Sequence, residues 1–347
     1  MIDVGLVGFG FAGRTFHAPV IAAVEGLHLA AILQRHGSEA QQAYPDARLV
    51  RSLDELLAID TIRLVVIATP NTTHFDLAKQ CLLAGRDVVI DKPFATTYAE
   101  AAELVQIASE QGRLLSVYQN RRWDGDFVTL QRLVADGKLG RVVLFESHFD
   151  RFRPHLKANA WRERPEPGSG VLFDLGPHLI DQAMVLFGEP ESISADLRIE
   201  REGASVDDAF DVVLHYPRMR VLLRAGMLVS TPTPRFVVQG TQGGYVKYGL
   251  DPQEDALKRG ETPAGEFWGY EAPERWGTLL EAQGDSFATD KLPTAPGDYH
   301  QYYQNVRDAI LGDAPLAVTA EQGLGVMRAL EMAQESSRQR CLVPWKS

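Results

Sequence analysis

The chain has 347 residues, 45% of them hydrophobic and 23% charged, with a formal net charge of −11. A single core stops growing at roughly 250 to 300 residues, so two domains are expected, and the acidic balance disfavours a nucleic-acid-binding surface. No apolar run reaches membrane-spanning length, and Cys81 and Cys341 suggest neither a disulfide framework nor a clustered metal site, which leaves a cytoplasmic enzyme as the default.

Ile2 to Val7 reads as a buried strand, followed at once by Gly8-Phe9-Gly10-Phe11-Ala12-Gly13. Arg14 to Val24 reads as a helix that Pro19 must bend. Strand, G-x-G-x-x-G turn and helix form a dinucleotide-binding signature. The first glycine makes the tight turn and the second lets backbone approach a pyrophosphate. The third lets helix and strand pack closely, and the helix N-terminus faces the phosphates. Leu29 to Leu33 is a second strand, ending in Gln34-Arg35-His36. NAD-selective sites place an acid at that strand end for the ribose 2′-hydroxyl. None stands there, and Arg35 supplies a cation suited to a 2′-phosphate or simply a solvated surface charge.

Ser52-Leu53-Asp54-Glu55 is a capping box that opens a short helix, and Leu64 to Ala68 is a buried parallel strand. Thr69-Pro70-Asn71-Thr72-Thr73-His74 leaves that strand and enters a helix over Thr73 to Ala84, closed by Gly85. The loop can line a cofactor, cap the helix, or both. Val88 to Ile90 is the next strand, and Asp91-Lys92-Pro93 follows it. Proline keeps Lys92 extended, so it projects from the strand's C-terminal edge, either toward a reacting oxygen or merely into solvent. Thr97-Tyr98-Ala99-Glu100 caps a helix ending near Gly112, and Leu114 to Tyr118 is a further strand. These repeated units wind into a parallel sheet with ligands at its C-terminal edge. The dinucleotide domain is placed at 1–118.

From 119 to 347 the pattern changes to an α+β domain on a largely antiparallel open sheet, whose final helix can pack back on the first domain. Phe127 to Ala135 is a helix, Val142 to Phe152 a long strand, and Asp174 to Phe187 a helix stopped by Gly188. Strands follow at Ile193 to Arg201, Phe210 to Tyr216, Val221 to Leu228 and Arg235 to Gly240, with turns at Pro217-Arg218 and Gln242-Gly243-Gly244. Leu250 to Asp298 shows little periodicity, and Tyr302 to Leu311 and Glu321 to Ser337 are closing helices. Asp174 and His178 stand four residues apart at a helix start, on one face. Such a pair suits proton transfer from an alcohol, and it also suits a capping acid beside a packed histidine. Arg121, Arg122, Arg151, Arg153, Arg162 and Arg164 interleave with Tyr118, Trp123, Phe152 and Trp161, as a polar substrate pocket or an interdomain salt-bridge set.

The chain resembles the Gfo/Idh/MocA oxidoreductases, carried by Gly8 to Gly13, Thr69 to His74, Asp91-Lys92-Pro93 and Asp174-Leu175-Gly176-Pro177-His178. The family usually has Glu-Lys-Pro where this chain has Asp91-Lys92-Pro93. Ser116 to Asp124, Arg151-Phe152-Arg153-Pro154, Trp161-Arg162-Glu163 and Val246 to Ala256 look like its NADP-dependent scyllo-inositol dehydrogenase branch. The resemblance implies a catalytic set of Lys92, Asp174 and His178, with Lys92 polarising the reacting oxygen, Asp174 holding a substrate hydroxyl and His178 as acid/base. It implies a homodimer or homotetramer and no metal. The cofactor, NADP in preference to NAD, is expected on Gly8, Gly10, Phe11, Ala12, Gly13, Gln34, Arg35, Thr69, Pro70, Asn71, His74, Asp91, Lys92 and Asn120. A small polyol or sugar is expected on Lys92, Tyr118, Asn120, Arg153, Trp161, Asp174 and His178. The alternatives are reduction of another small carbonyl, a redox-neutral reaction within the family, and a cofactor-binding sensor without catalysis.

Overall fold

The computed structural model describes residues 1–157 and 163–346. The chain forms two compact units. The first comprises residues 1–123, 253–268 and 298–327, and the second 124–252, 269–297 and 328–347.

The first unit is built on six parallel strands: β1 (Ile2–Val7), β2 (Leu27–Leu33), β3 (Arg48–Val50), β4 (Ile62–Ile67), β5 (Asp87–Ile90) and β6 (Leu115–Val117). Their order is β3-β2-β1-β4-β5-β6, so the winding direction reverses beside β1. Val4, Leu6 and the run Leu64 to Ile67 are fully buried, as expected of strands covered on both faces. Both side-chain caps form, Ser52 Oγ accepting from Glu55 N and Thr97 Oγ1 from Glu100 N, while the Glu55 and Glu100 carboxylates accept from the residues before the caps, Arg51 N and Thr96 N. Gly112 closes the second helix at a φ of 58°. β3 was not anticipated; it is three residues long and carries too little pattern to read.

The helix after the glycine loop differs from expectation in its middle. A π-helical turn covers Gly13–His17 before α-helical geometry resumes at Ala18–Ala23. Ala18 N donates to Gly13 O, five residues back. Proline has no N–H and its ring clashes with the carbonyl four residues earlier, so the widened turn admits Pro19 without breaking the helix.

Among its described residues the second unit carries nine strands. They are β7 (Val142–His148), β8 (Ser192–Arg198), β9 (Ala209–Tyr216), β10 (Met219–Gly226), β11 (Pro234–Gly240), β12 (Gly243–Tyr248), β13 (Gly277–Gln283), β14 (Ser286–Leu292) and β15 (Val343–Pro344). Their order is β14-β13-β12-β11-β7-β10-β9-β8-β15, antiparallel throughout except for the β7–β10 pair. Phe145, Val221, Leu223, Leu214, Phe236 and Val238 bury one face. On the other, Val213, Leu222, Glu146, Val237 and Val246 align across successive strands and are half-exposed.

Three expectations are corrected here. The strand from Val142 stops at His148, and Phe152 makes only an isolated bridge to Leu228. Gly243 and Gly244 are not the turn but the start of β12. A Cβ on Gly243 would lie 2.2 Å from the Leu280 carbonyl oxygen, so glycine is there for close strand approach. The stretch read as irregular contains the helix Gln253–Lys258 and the β13–β14 hairpin.

The helix bearing Asp174 also begins earlier than expected, at Val171, and runs to Phe187 with Pro177 inside it. Asp174 is therefore not its cap. Asp207 anchors the start instead: its Oδ2 accepts from Leu172 N at 2.7 Å and its backbone oxygen from Val171 N at 2.9 Å. Gly170, at a φ of 90°, leaves room for that carboxylate, since a Cβ would come within 2.1 Å of Asp207 Oδ1. Burial pushes the Asp207 carboxyl up to about 6, against the pull of those N–H groups and with help from neighbouring Asp208. A folded-state value above the ordinary 3.8 means that the folded chain holds the proton longer. Stability from this group is fully present at low pH and is lost as pH rises through about 6. Asp207→Asn removes that loss. Relative to wild type, the variant should gain about 1 to 3 kcal/mol between about pH 4 and pH 7, measured by urea unfolding. A pH-independent difference would contradict it.

Candidate functional site

In the first unit the glycine loop is shaped by contact on one side and open space on the other. Gly8 has a φ of 101°, and a Cβ on Gly13 would lie 2.0 Å from the Gly8 carbonyl oxygen. These two positions hold the turn against the helix. A Cβ on Gly10 would meet nothing within 4 Å. Gly10 is exposed, and the helical run beginning at Phe11 and Ala12 aims its N-terminal N–H groups at that space. A pyrophosphate fits there, and a side chain would fill its place.

The loops after β4, β5 and β6 lie along the same C-terminal edge. Thr69, half-buried with exposed Pro70 beside it, hydrogen-bonds Thr73 through their hydroxyls at 2.8 Å. Asn71 is buried at the head of a 3₁₀ turn. His74 is buried, with Nδ1 2.9 Å from Pro93 O and Nε2 2.9 Å from Thr69 O. It braces the β4 loop against the segment after β5. Burial lowers its pKa, outweighing Asp91 and the two carbonyls.

Asp91 Oδ1 accepts from the backbone N–H of Lys92 at 2.8 Å. Burial alone would raise the Asp91 pKa, but His17, Lys92 and His74 hold it below the ordinary carboxylate value. His17 is a residue that sequence reasoning missed. It is fully buried, its Nδ1 lies 2.6 Å from the Tyr303 hydroxyl, and its Nε2 faces Asp91 Oδ1 at 3.7 Å. Its ring lies 4.2 Å from that of Tyr118, whose hydroxyl donates to Phe16 O at 3.1 Å. Burial raises the Tyr303 pKa far above its ordinary value, so Tyr303 stays a donor. The only sequence signal was a histidine immediately before Ala18-Pro19.

Asn120 is buried on the 3₁₀ turn Asn120–Trp123. Its neighbours Arg121 and Arg122, read as pocket or salt bridge, tie the returning segments into this unit. Arg121 pairs with Glu254, and Arg122 Nη1 donates to Ala317 O at 2.7 Å and Gln322 Oε1 at 2.9 Å. Burial opposes ionisation of Glu254, yet Arg121 and Lys258 bring its pKa down to about 2.

At the end of β2, Arg35 is exposed and the Gln34 side chain is engaged. Gln34 Oε1 accepts from Ala40 N at 2.9 Å, and its Nε2 donates to Glu39. An acid does therefore reach the strand end in space, from five residues further along the chain.

Arg153, Asp174 and His178 belong to the second unit. Asp174 is half-buried and His178 buried, one turn apart on their helix. Arg151 Nη1 lies 3.5 Å from Asp174 Oδ2 and stacks on Phe149 at 5.0 Å. Arg153 is exposed, with its backbone N–H donating to Met227 O at 2.7 Å. Trp161 and Arg162 lie outside the described residues.

A parallel sheet with an open glycine loop at the start of its first helix is a dinucleotide-binding unit, and likeness to known proteins gives the class of enzyme that carries it. Residues 2–119 match the profile "Oxidoreductase family, NAD-binding Rossmann fold", and residues 131–344 match "Oxidoreductase family, C-terminal alpha/beta domain". The chain belongs to the Gfo/Idh/MocA oxidoreductase family. It is 47% identical over 339 residues to the uncharacterized oxidoreductase YdgJ of Escherichia coli, covering 98% of this chain and 97% of that one. It is 37% identical to the scyllo-inositol 2-dehydrogenase (NADP(+)) IolW of Bacillus subtilis, covering 98% and 94%. A solved structure of yvaA from Bacillus subtilis superposes with a TM-score of 0.97 at 36% identity, covering 99% of this chain and 98% of that one. Among the described residues, no helix is long and apolar enough to cross a membrane.

The loop glycines should separate by role. Gly13→Ala should destabilise the protein by about 1 to 3 kcal/mol, since the Gly8 carbonyl must move. Gly10→Ala should change stability by less than about 0.5 kcal/mol and yet abolish dinucleotide binding. Urea unfolding and titration of protein fluorescence with NADPH read the two effects; equal behaviour of both variants would refute the division.

Proposed function

We propose that the protein is an NADP(H)-dependent dehydrogenase that interconverts a secondary alcohol of a cyclic polyol or sugar and the matching ketone. The observation that carries the reading is the Asp174/His178 pair, one turn apart on a helix whose start is fixed by Asp207, with Arg151 beside the carboxylate. The likeness to IolW supports the polyol class and the cofactor. Gly8, Gly10, Phe11, Ala12 and Gly13 would hold the pyrophosphate, with Arg35 at the adenosine ribose. When bound, the cofactor supplies the hydride acceptor.

Removal of hydride from a carbinol carbon requires that its hydroxyl lose a proton. His178 takes it, because an imidazole titrates near neutral pH. By resemblance to the family, Lys92 at the end of β5 is the cation that would stabilise charge developing on a reacting oxygen. Asp174 accepts from a neighbouring hydroxyl and orients the ring, with the Arg151 guanidinium 3.5 Å from that carboxylate. The half-exposed row Val213, Leu222, Val237 and Val246 supports assembly as a homodimer or homotetramer through the open face of the sheet.

The test is a panel of inositols, sugars and simple cyclic alcohols with NADP⁺, read by NADPH absorbance. A site built to hydrogen-bond hydroxyls rejects analogues that lack them by about 10⁴-fold or more, because its own buried groups are left unpaired. Turnover of an inositol or sugar with a steep fall on deoxygenation beside the reacting carbon is expected. Comparable kcat/KM for a plain cyclic alcohol would favour a broad carbonyl reductase, and tight NADPH binding with no turnover on any member would favour a sensor. His178→Ala should lower kcat by about 10² to 10⁴-fold while NADPH binding persists. A near-normal kcat in that variant would remove His178 from the acid/base role.

A further inference from the structure

β2 and β3 run parallel with Leu33 opposite Val50, so the residues that follow them, Gln34 and Arg51, leave the sheet at the same level. Gln34 N donates to Val50 O at 3.1 Å, which continues the ladder by one step. Beyond it the Arg51 side chain turns onto the neighbouring loop. Its Nη1 donates to Gln34 O at 2.7 Å and to Gly37 O at 2.7 Å. One guanidinium nitrogen thus bridges the first and last carbonyls of the turn Gln34-Arg35-His36-Gly37. Arg35 is one of the two residues held between them.

The turn is fixed from both sides. Gly37 has a φ of 80°, a conformation that favours glycine, and Gln34 is tied to Ala40 N and to Glu39. Arg51 is fixed in turn, because its own backbone N–H donates to Glu55 Oε2 at 2.9 Å, a carboxylate on the first turn of the capped helix Leu53–Leu57. Both carbonyl bonds use Nη1. Nη2 and Nε of Arg51 make no bond to another described residue, and the side chain is exposed. Glu39, the acid nearest this turn, is engaged by Gln34 and by backbone N–H groups. Those backbone bonds foremost, with Gln34 next, hold its pKa below the ordinary carboxylate value.

The geometry points to Arg51 as a further specificity-determining residue of the cofactor site. It clamps the turn that carries Arg35 and offers its remaining guanidinium nitrogens to the same adenosine 2′-phosphate. A phosphate monoester carries nearly two negative charges at neutral pH, and one exposed arginine balances only half of them. A clamp made before the ligand arrives also spares the ordering cost of the loop. The inference rests on the NADP reading given above and extends it to a residue outside the β2 terminus.

The test separates the 2′-phosphate from the rest of the cofactor. Adenosine 2′,5′-bisphosphate and 5′-AMP are titrated calorimetrically into wild type, Arg35→Ala, Arg51→Ala and Arg51→Lys, with NADPH and NADH compared by fluorescence. Wild type should bind the bisphosphate and NADPH more tightly than their unphosphorylated partners. Arg51→Ala should narrow both preferences by about tenfold, the range for loss of a charge-assisted hydrogen bond, while 5′-AMP and NADH change by less than about twofold. Arg51→Lys keeps the charge but not the fork, and should fall between the two. If Arg51→Ala does not fold, as judged by thermal melting, the lysine variant carries the test alone. Equal weakening of both probes would make Arg51 a scaffold residue only, and an unchanged ratio with Arg35→Ala impaired would confine recognition to Arg35. Either outcome overturns the proposal and leaves the NADP reading standing. A wild type indifferent to the 2′-phosphate overturns that reading itself, and the role of Arg51 with it.

Discussion

An imidazole with no access to water must find its partners inside the protein, and His17 draws three parts of the first unit together in doing so. The π-helical turn after the glycine loop carries it. Tyr303, on the helix His300–Leu311, meets one nitrogen, and Asp91, at the end of β5, faces the other. Tyr118, just beyond β6, closes over the ring. Asp91 in turn accepts the backbone N–H of Lys92. The carboxylate that holds the Lys92 backbone N–H therefore faces a residue in the helix that follows the glycine loop. Removing the Tyr303 hydroxyl leaves His17 Nδ1 buried without its counterpart, which costs more than the bond itself contributes.

Local rules carried much of the first unit. Strand, glycine turn and helix could be read from spacing, as could both side-chain caps and the glycine that ends Tyr98–Gln111, because each is decided within a few residues. What could not be read is what distant residues do to one another. Asp207 anchors a helix thirty-odd positions earlier, a relation with no local signature, so the helix start was misplaced at Asp174. Glu39 reaches Gln34 only because the chain doubles back after Gly37, and a strand end that looks free of acids has one beside it. The glycines of β12 read as a turn because sequence records the missing side chain and not the Leu280 carbonyl that requires it. Of the residues proposed for catalysis, Lys92, Asp174 and His178 stood out by motif. His17 and Arg51 act through contacts, and so left almost no trace.

The second unit keeps titratable side chains under its sheet. Lys247 is wholly buried on the inner face of β12 and donates to Glu271 at 2.8 Å, while Arg235 of β11 binds Ser147 and Gln182 and lies 3.9 Å from Asp126. Such pairs add little net stability, since desolvation offsets their attraction. They do fix register. A slip of one residue in β12 would turn Lys247 outward and leave Glu271 facing the interior without it. Strands that alternate valine and aromatic residues slide readily, and a charge in the row marks the one alignment that satisfies it.

The first unit is not one stretch of chain. Residues 1–123 contain its whole parallel sheet, yet Tyr302 and Tyr303 belong to residues 298–327. Ser116 Oγ bonds the Tyr302 hydroxyl and Val318 O, each at 2.8 Å, so the edge strand β6 is also completed from that later segment. On the ribosome, where chains grow at about 5 to 20 residues per second, the sheet emerges roughly 10 to 40 seconds before the residues that seal it. During that interval His17, Ser116 and Tyr118 lack their final partners. The nascent unit is then a loose sheet with an open seam, and the second unit must emerge almost entirely before the first can close.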